Sequence, residues 1–356
     1  MILILSRTAL LIIFYISYCQ SLPIYAQNKS YEIQTVAFYN MENLFDTIND
    51  PLTWDDDWTP NGKHRWDSWT YSKKLESMTS AILEIGRSKN PHPPALIGLC
   101  EIENSRVLND MINHPNLIEF DYDYVHFDSP DRRGIDVALI YRRGHFTPTN
   151  STSNRLLLFE DDLVRKSRIY TRDQLVVSGE LGGERIHLVI NHWPSRRGGK
   201  KSSHRRRLAA ARLTRRLCDS IFTVDRYAQI IVMGDFNDDP SDLSIQYLMG
   251  KADGSSRSDE LVLSNPMSEL FRKGYGTLAY RDGWNLFDQM LLSPYLIKGE
   301  ASRWKFFKVG IQNHSDLIQK KGKYRGYPRR GMQNDLYTGG FSDHFPVYVY
   351  LVRFAR

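Results

Sequence analysis

Cysteine, long apolar runs and low-complexity tracts are what this chain has least of. Its 356 residues include only three cysteines, Cys19, Cys100 and Cys218. That is too few for a disulfide framework. Cys100 falls in an apolar, strand-like run and Cys218 in a helical pattern, so both read as small core residues. No Pro/Ser/Gly-rich linker, internal repeat or biased tract divides the sequence. Cores usually split beyond about 250–300 residues. Even so, one large α/β domain over residues 27–356 with two packed sheets is the economical reading. A strong charge bias is also missing: the net charge is +6, or 6 − 1 = +5 without Arg7.

One apolar stretch stands apart, at the N terminus. Arg7 precedes the run 9–16, and a polar stretch then ends in Tyr25-Ala26-Gln27-Asn28. This is the layout of a secretory signal peptide, and the run is far shorter than the roughly 20 residues needed to cross a bilayer. Residues 1–26 are expected to be removed, leaving a secreted or periplasmic chain, monomeric and without stable membrane insertion. Tyr18 argues against a lipid anchor at Cys19, since such sites want a small residue before the cysteine.

Short apolar runs with turn signals between them predict strands at 35–39, 95–100, 137–141, 186–190, 229–233, 286–292 and 345–352. Helical periodicity covers 68–87, through Leu75, Met78, Ile82 and Ile85, and 203–221, through Ala210, Leu213, Leu217 and Ile221. The informative residues lie just past the strands. Run 35–39 leads into Asn40-Met41-Glu42-Asn43, run 95–100 into Glu101, run 186–190 into Asn191-His192, and run 229–234 into Asp235-Phe236-Asn237. Ligands in open α/β sheets gather at such strand ends. Any one of these polar groups reads equally well as a turn former; four together do not.

Asp288 is read as lying inside an apolar strand, where a carboxylate is costly unless paired. A histidine whose ring it orients is the natural partner, and Asp343-His344 supplies a candidate imidazole before the last strand. Asp136 opens the run 137–141 and is a candidate to orient His192. Asp55-Asp56-Asp57 reads as solvated surface.

The segments Asn40-Met41-Glu42-Asn43, Gly98-Leu99-Cys100-Glu101, Gly234-Asp235-Phe236-Asn237 and Ser342-Asp343-His344-Phe345-Pro346 resemble, in order, the motifs of the endonuclease/exonuclease/phosphatase superfamily, the DNase I-like phosphoesterases. The resemblance spans nearly the whole mature chain. It implies a four-layer α/β sandwich with two mixed β-sheets inside and helices outside. It also implies a metal-dependent phosphoesterase in which Glu101 is the principal metal ligand, with Asn40, Glu42 and Asp343 near the same ion or a second one. Carboxylate and amide oxygens without a cysteine cluster suit Mg²⁺, Mn²⁺ or Ca²⁺. By the same resemblance Asp235 activates water, Asn237 holds that water or a phosphate oxygen, and His344, oriented by Asp288, donates to the phosphoryl oxygens. His192 is the candidate acid for the leaving oxygen.

Two basic segments bear on the substrate. One carries Arg196, Arg197, Lys200, Lys201, Arg205, Arg206 and Arg207. The other carries Lys320, Lys321, Lys323, Arg325, Arg329 and Arg330, interleaved with Tyr324 and Tyr327. Cations among aromatics suit a polyanion with stackable bases, so nucleic acid is the expected partner. Inositol phosphates or phospholipid headgroups suit the same charge, and a polyanion-binding module without catalysis is the remaining alternative. Arg212, Arg215 and Arg216 read as a solvated helix face.

Overall fold

The computed structural model describes residues 30–160, 167–251 and 261–355; the expected leader at 1–26 and Cys19 lie outside them. The principal elements begin with β1 (Tyr31–Leu44), α1 (Ser68–Glu84), β2 (Leu96–Ile102), α2 (Ser105–Ile112), β3 (Tyr122–His126), β4 (Asp136–Arg142), β5 (Phe146–Asn154), β6 (Gln174–Leu181) and β7 (Glu184–His192). They continue with α3 (Lys200–Val224), β8 (Ile230–Asp235), α4 (Leu243–Met249), a small hairpin of β9 (Leu278–Tyr280) and β10 (Gly283–Asn285), then β11 (Asp288–Leu292), β12 (Lys305–Ile311) and β13 (Val347–Phe354).

Two mixed sheets organise the molecule. The six-stranded one has the order β12-β13-β1-β2-β4-β3, and the five-stranded one β11-β8-β7-β6-β5. In each, a single parallel pair, β1 with β2 and β7 with β8, sits among antiparallel neighbours. Alternate residues of β1 serve two cores. Val36 and Phe38 face Leu188, Ile190 and Met233 between the sheets, whereas Ala37 and Tyr39 face α1 and α2 through Met78, Ile82 and Val107. The outer face of the second sheet is closed by α3 and α4, where Val189 and Val232 meet Ala210, Cys218 and Leu248. The result is helix, sheet, sheet, helix: the expected four layers. Strands buried on both faces read as unbroken apolar runs, which is why β2 and β8 were legible.

Local signals set the helix starts. The Asp67 carboxylate accepts from Thr70 N at 2.8 Å to open α1, and the Asn104 side chain accepts from Val107 N at 3.1 Å to open α2. Helix α3 buries a stripe of helical period, Ser203, Arg207, Ala210, Thr214, Cys218 and Phe222.

That stripe corrects the expectation for the first basic segment. From Lys200 onward it is helix, not loop. Arg207 is fully buried, its guanidinium 2.8 Å from Asp238, so it cannot meet a substrate. Arg196 is turned inward to Asp238, Asp239 and Asp242 and donates to Asn237 O at 2.8 Å. Arg197, Arg205 and Arg206 are exposed. Arg215, expected on a solvated face, is buried beside Asp219, and Asp55, expected at the surface, is buried as well.

Removing one member of a buried ion pair strands the other charge. Arg207→Ala is therefore predicted to lower the unfolding free energy by about 3–5 kcal/mol, whereas exposed Arg206→Ala should stay within about 0.5 kcal/mol of the parent. Urea denaturation monitored by circular dichroism measures both, and equal effects would refute the distinction.

Candidate active site

Both parallel pairs end on the same side of the sandwich, and the polar groups converge there. Register places Asp235 beside His192 across β7–β8 and beside Asp288 across β8–β11. In the other sheet Asn40 pairs with Cys100, after which the register of β1 against β2 shifts before Leu44 and Ile102. Asn40, Glu42 and Glu101 thus sit at bulges within longer strands, not beyond strand ends as the sequence suggested. Asp288 likewise opens β11 rather than lying inside it.

The bulges carry unusual backbone. Glu42, Asn43 and Glu101 have φ of 48°, 53° and 59°, and Asn237, after β8, has 52°. This left-handed region costs a non-glycine residue about 1–3 kcal/mol and persists where surroundings enforce it. Its effect here is direct: the turned Asn43 N–H donates to Glu101 Oε2 at 2.9 Å, and the Asn237 N–H donates to Asp235 Oδ1 at 2.9 Å.

The Asn40 side chain joins the two sheets. Its Nδ2 donates to Glu101 Oε1 at 3.3 Å and to Asp235 Oδ2 at 3.2 Å, while its Oδ1 accepts from Glu42 N at 2.9 Å. Asn40 therefore orients two carboxylates and spends its own oxygen on backbone. His192 Nε2 lies 3.8 Å from the same Glu101 oxygen and 3.7 Å from the same Asp235 oxygen. Two carboxylate oxygens so converge on one space with no Lys or Arg ion pair to either, among the described residues. That donor set fits an oxygen-loving divalent cation held chiefly by Glu101, with Asp235 facing the same space.

Glu42 and Asp343 stand apart from it. Glu42 accepts from Gly331 N at 2.5 Å and from Arg330 Nε at 3.3 Å, and Arg330 Nη2 reaches Asp343 Oδ2 at 3.0 Å. Burial, then Asp343, push the Glu42 carboxyl up to about 7, against the opposing pull of Lys74 and Arg330.

His344 is positioned by Asp288, whose Oδ2 accepts from Nδ1 at 2.6 Å. Asp288 N in turn donates to Thr277 Oγ1 at 3.4 Å, and Phe345 N donates to Thr277 O at 2.8 Å. Ser342 Oγ donates to Asn40 O at 2.8 Å and accepts from His344 N at 3.1 Å. Asp235, Asp288 and His344 lie close enough to share an ion. The short His344–Asp288 bond makes an imidazolium–carboxylate pair the better description. Burial opposes the ring's charge, yet Asp288, Asp235 and Asp343 together hold His344 well above the usual histidine range. Asp235 is pushed up to about 7, chiefly by burial, with His344 opposing and Asp288 adding to the rise.

His192 behaves oppositely. Burial first, then Arg172, Arg133 and His344, push it well below the usual range, so the ring is neutral at neutral pH. That conflicts with a role as acid for the leaving oxygen and suits a hydrogen-bonding one. Asp136 does not orient it: its oxygens accept from His126 Nε2 at 3.0 Å and Ser129 N at 2.9 Å, and His192 Nδ1 has no partner. Arg172, which no sequence signal marked, is buried, donates to Trp193 O at 2.7 Å and pairs with Asp131 at 3.2 Å. Asn237 Nδ2 donates to Trp193 O at 3.0 Å, which leaves its oxygen for a water rather than a phosphate.

Beyond His344 runs a chain of rings. Phe345 stacks on Trp284 with centroids 6.2 Å apart, Trp284 meets Tyr327 at 5.9 Å, and Tyr327 meets Tyr324 at 5.6 Å. The Tyr327 hydroxyl ties this loop to the β9–β10 hairpin, donating to Asp282 Oδ1 at 2.6 Å. Trp284, Tyr324 and Arg325 are exposed.

Comparison with known proteins agrees with this fold. The family model described as Endonuclease/Exonuclease/phosphatase family matches residues 35–353. An endonuclease/exonuclease/phosphatase family protein from Bacteroides thetaiotaomicron superposes with a TM-score of 0.55 at 18% identity, over 92% of this chain and 100% of that one. A mannosyl-6-phosphatase from the same organism gives 0.53 at 18% identity, over 89% and 99%. D. rerio TDP2 complexed with a single-strand DNA product gives 0.51 at 12% identity, over 90% and 99%. No curated protein sequence matches the chain.

Asp288→Asn removes the charge that does most to hold the proton on His344, after which burial dominates. The His344 titration, followed by NMR of the ring C–H, should move to lower pH by about one unit or more. Cleavage of an activated phosphodiester should fall by about 10²–10⁴. An unmoved titration would mean that Asp235 and Asp343 suffice.

Proposed function

The chain belongs to the endonuclease/exonuclease/phosphatase family, and from that premise we propose that it is a secreted, divalent-metal-dependent phosphodiesterase acting on nucleic acid. The family points to phosphoester hydrolysis. The choice of substrate rests on this chain's own residues, since the neighbouring structures include both a phosphatase and a protein holding single-strand DNA. The carrying observation is the ring chain Phe345–Trp284–Tyr327–Tyr324, which starts beside His344 and ends among exposed Lys320, Lys321, Lys323 and Arg325. Bases stack on such rings at about 1–3 kcal/mol each, and cations beside them follow a phosphate backbone.

The residues then divide the chemistry. Asp235, ionised above about 7, takes the proton of the attacking water, which the Asn237 oxygen helps to hold. The His344 imidazolium spends Nδ1 on Asp288 and keeps Nε2–H for a phosphoryl oxygen as negative charge grows. Neutral His192 offers a second hydrogen bond to that group. Glu101 would hold a divalent cation, which when bound would supply polarisation of the phosphoryl group and stabilisation of the departing oxygen. Removal of residues 1–26 as a signal peptide accounts for the placement outside the cytosol.

The test is a parallel assay of purified mature protein with Mg²⁺ against plasmid DNA, RNA, sphingomyelin and inositol phosphates. Cleavage of nucleic acid should predominate and vanish with a chelator or in Glu101→Ala. Trp284→Ala should raise KM for a strand by about 5–150-fold, the equivalent of about 1–3 kcal/mol, while a small diester is cut as before. Replacing Lys320, Lys321, Lys323 and Arg325 with Ala should flatten the dependence of log affinity on log salt by about 0.7 for each lost single-strand contact. Hydrolysis confined to inositol phosphates or lipid would reject nucleic acid, and full activity after chelation would reject the metal.

A further inference from the structure

We infer that Arg330 and Lys74 fill, with their own charge, the corner of the site where a second metal ion would bind, so that the centre takes one divalent cation. The inference rests on the metal-dependent reading above and specifies which carboxylates serve the ion. Glu42 and Asp343 form a pair that could hold a cation, but both are spoken for. Arg330 spans them, Nε to Glu42 Oε1 at 3.3 Å and Nη2 to Asp343 Oδ2 at 3.0 Å. Lys74 Nζ lies 3.9 Å from Glu42 Oε2 and donates to Phe341 O. Backbone N–H groups of Gly331 and Met332 fill the rest of the Glu42 carboxylate at 2.5 and 3.4 Å.

The corner is built for this arrangement. A Cβ on residue 331 would meet Lys74 Nζ at 3.1 Å, and Glu42 Oε2 and Phe341 O at 3.2 Å, so glycine lets the backbone close over the carboxylate. Lys74 is 1% exposed although it rises from a surface helix. An ammonium so buried needs its partners. The charges balance: Glu42 and Asp343 against Lys74 and Arg330. Moving a proton from Lys74 to Glu42 leaves that sum unchanged. Glu101 and Asp235, by contrast, have no Lys or Arg within ion-pair distance among the described residues, and their only such neighbour is His192. A divalent ion gains where carboxylates lack a direct Lys or Arg partner and gains little where two cations already sit.

Mn²⁺ uptake by the mature chain, read by calorimetric titration and by electron paramagnetic resonance of free Mn²⁺, tests this. The parent should bind one equivalent, and Glu101→Gln should bind none. Glu42→Gln and Asp343→Asn should keep that one equivalent at an affinity within about tenfold, roughly 1.4 kcal/mol. Arg330→Met/Lys74→Met should acquire a second equivalent. Two equivalents in the parent, loss of the single site in Glu42→Gln or Asp343→Asn, or one equivalent in a folded double variant each overturn the inference while leaving a metal enzyme. A parent that binds no Mn²⁺ overturns the inference and the metal-dependent reading together. The two carboxylate variants keep the test decisive if the double variant does not fold.

Discussion

The amide of Asn40 bridges carboxylates from two different sheets, and the geometry of the site depends on that bridge. Glu101 comes from β2 in one sheet and Asp235 from β8 in the other. Sheets packed through a core of Val36, Phe38, Ile190 and Met233 fix where their edges meet, but not how two like charges lie together there. Like charges in a buried place repel each other. One donor shared between them offsets part of that repulsion and sets their spacing. Ser342 then anchors the Asn40 backbone carbonyl and the His344 N–H, so the last motif of the chain is keyed to the first.

Legibility from sequence followed burial symmetry. Strands β2 and β8 are apolar on both faces and so appear as continuous runs. Strand β5, Phe-Thr-Pro-Thr-Asn-Ser-Thr-Ser-Asn, lies at a sheet edge with mostly open side chains, and no apolar period marks it. The motif residues were visible because polar groups interrupt apolar runs, and the structure does assemble them. Their roles depend on contacts between distant segments, and these were not legible. Arg207 looked like one cation among seven in its segment. Only the position of Asp238, brought under α3 by the β8–α4 connection, makes it a core residue. Arg172 lies in the polar run Thr171-Arg172-Asp173-Gln174, all of it buried, and nothing in such a run announces burial.

Charge placement separates the basic residues into two populations. Arg172, Arg196, Arg207 and Arg215 point inward and brace loops or helices against acidic partners. Arg197, Arg206, Lys320, Lys323 and Arg325 face solvent. A modest net charge therefore understates how basic the exposed rim is, because buried carboxylates outnumber the buried guanidinium and ammonium groups. Charges around the site also act on its chemistry: buried Arg172 and exposed Arg133 add to burial in keeping His192 neutral, while Asp288, Asp235 and Asp343 keep His344 charged. Two histidines facing one space thus hold opposite states.

The left-handed backbone at Glu42, Asn43, Glu101 and Asn237 bears on how this fold can be made hardier. Glycine at any of these positions would release conformational strain, so a search for heat resistance would be drawn to them. Asn43 is the most tempting, since only its backbone N–H serves Glu101. The gain would come with a loosened turn, because the side chain that restricts the chain also holds that N–H in line. Heat resistance and turnover would then trade against each other at this loop. Lineages adapting to hot habitats would find their increments in helix caps, edge strands and the surface of α3 instead, and the four strained residues would persist.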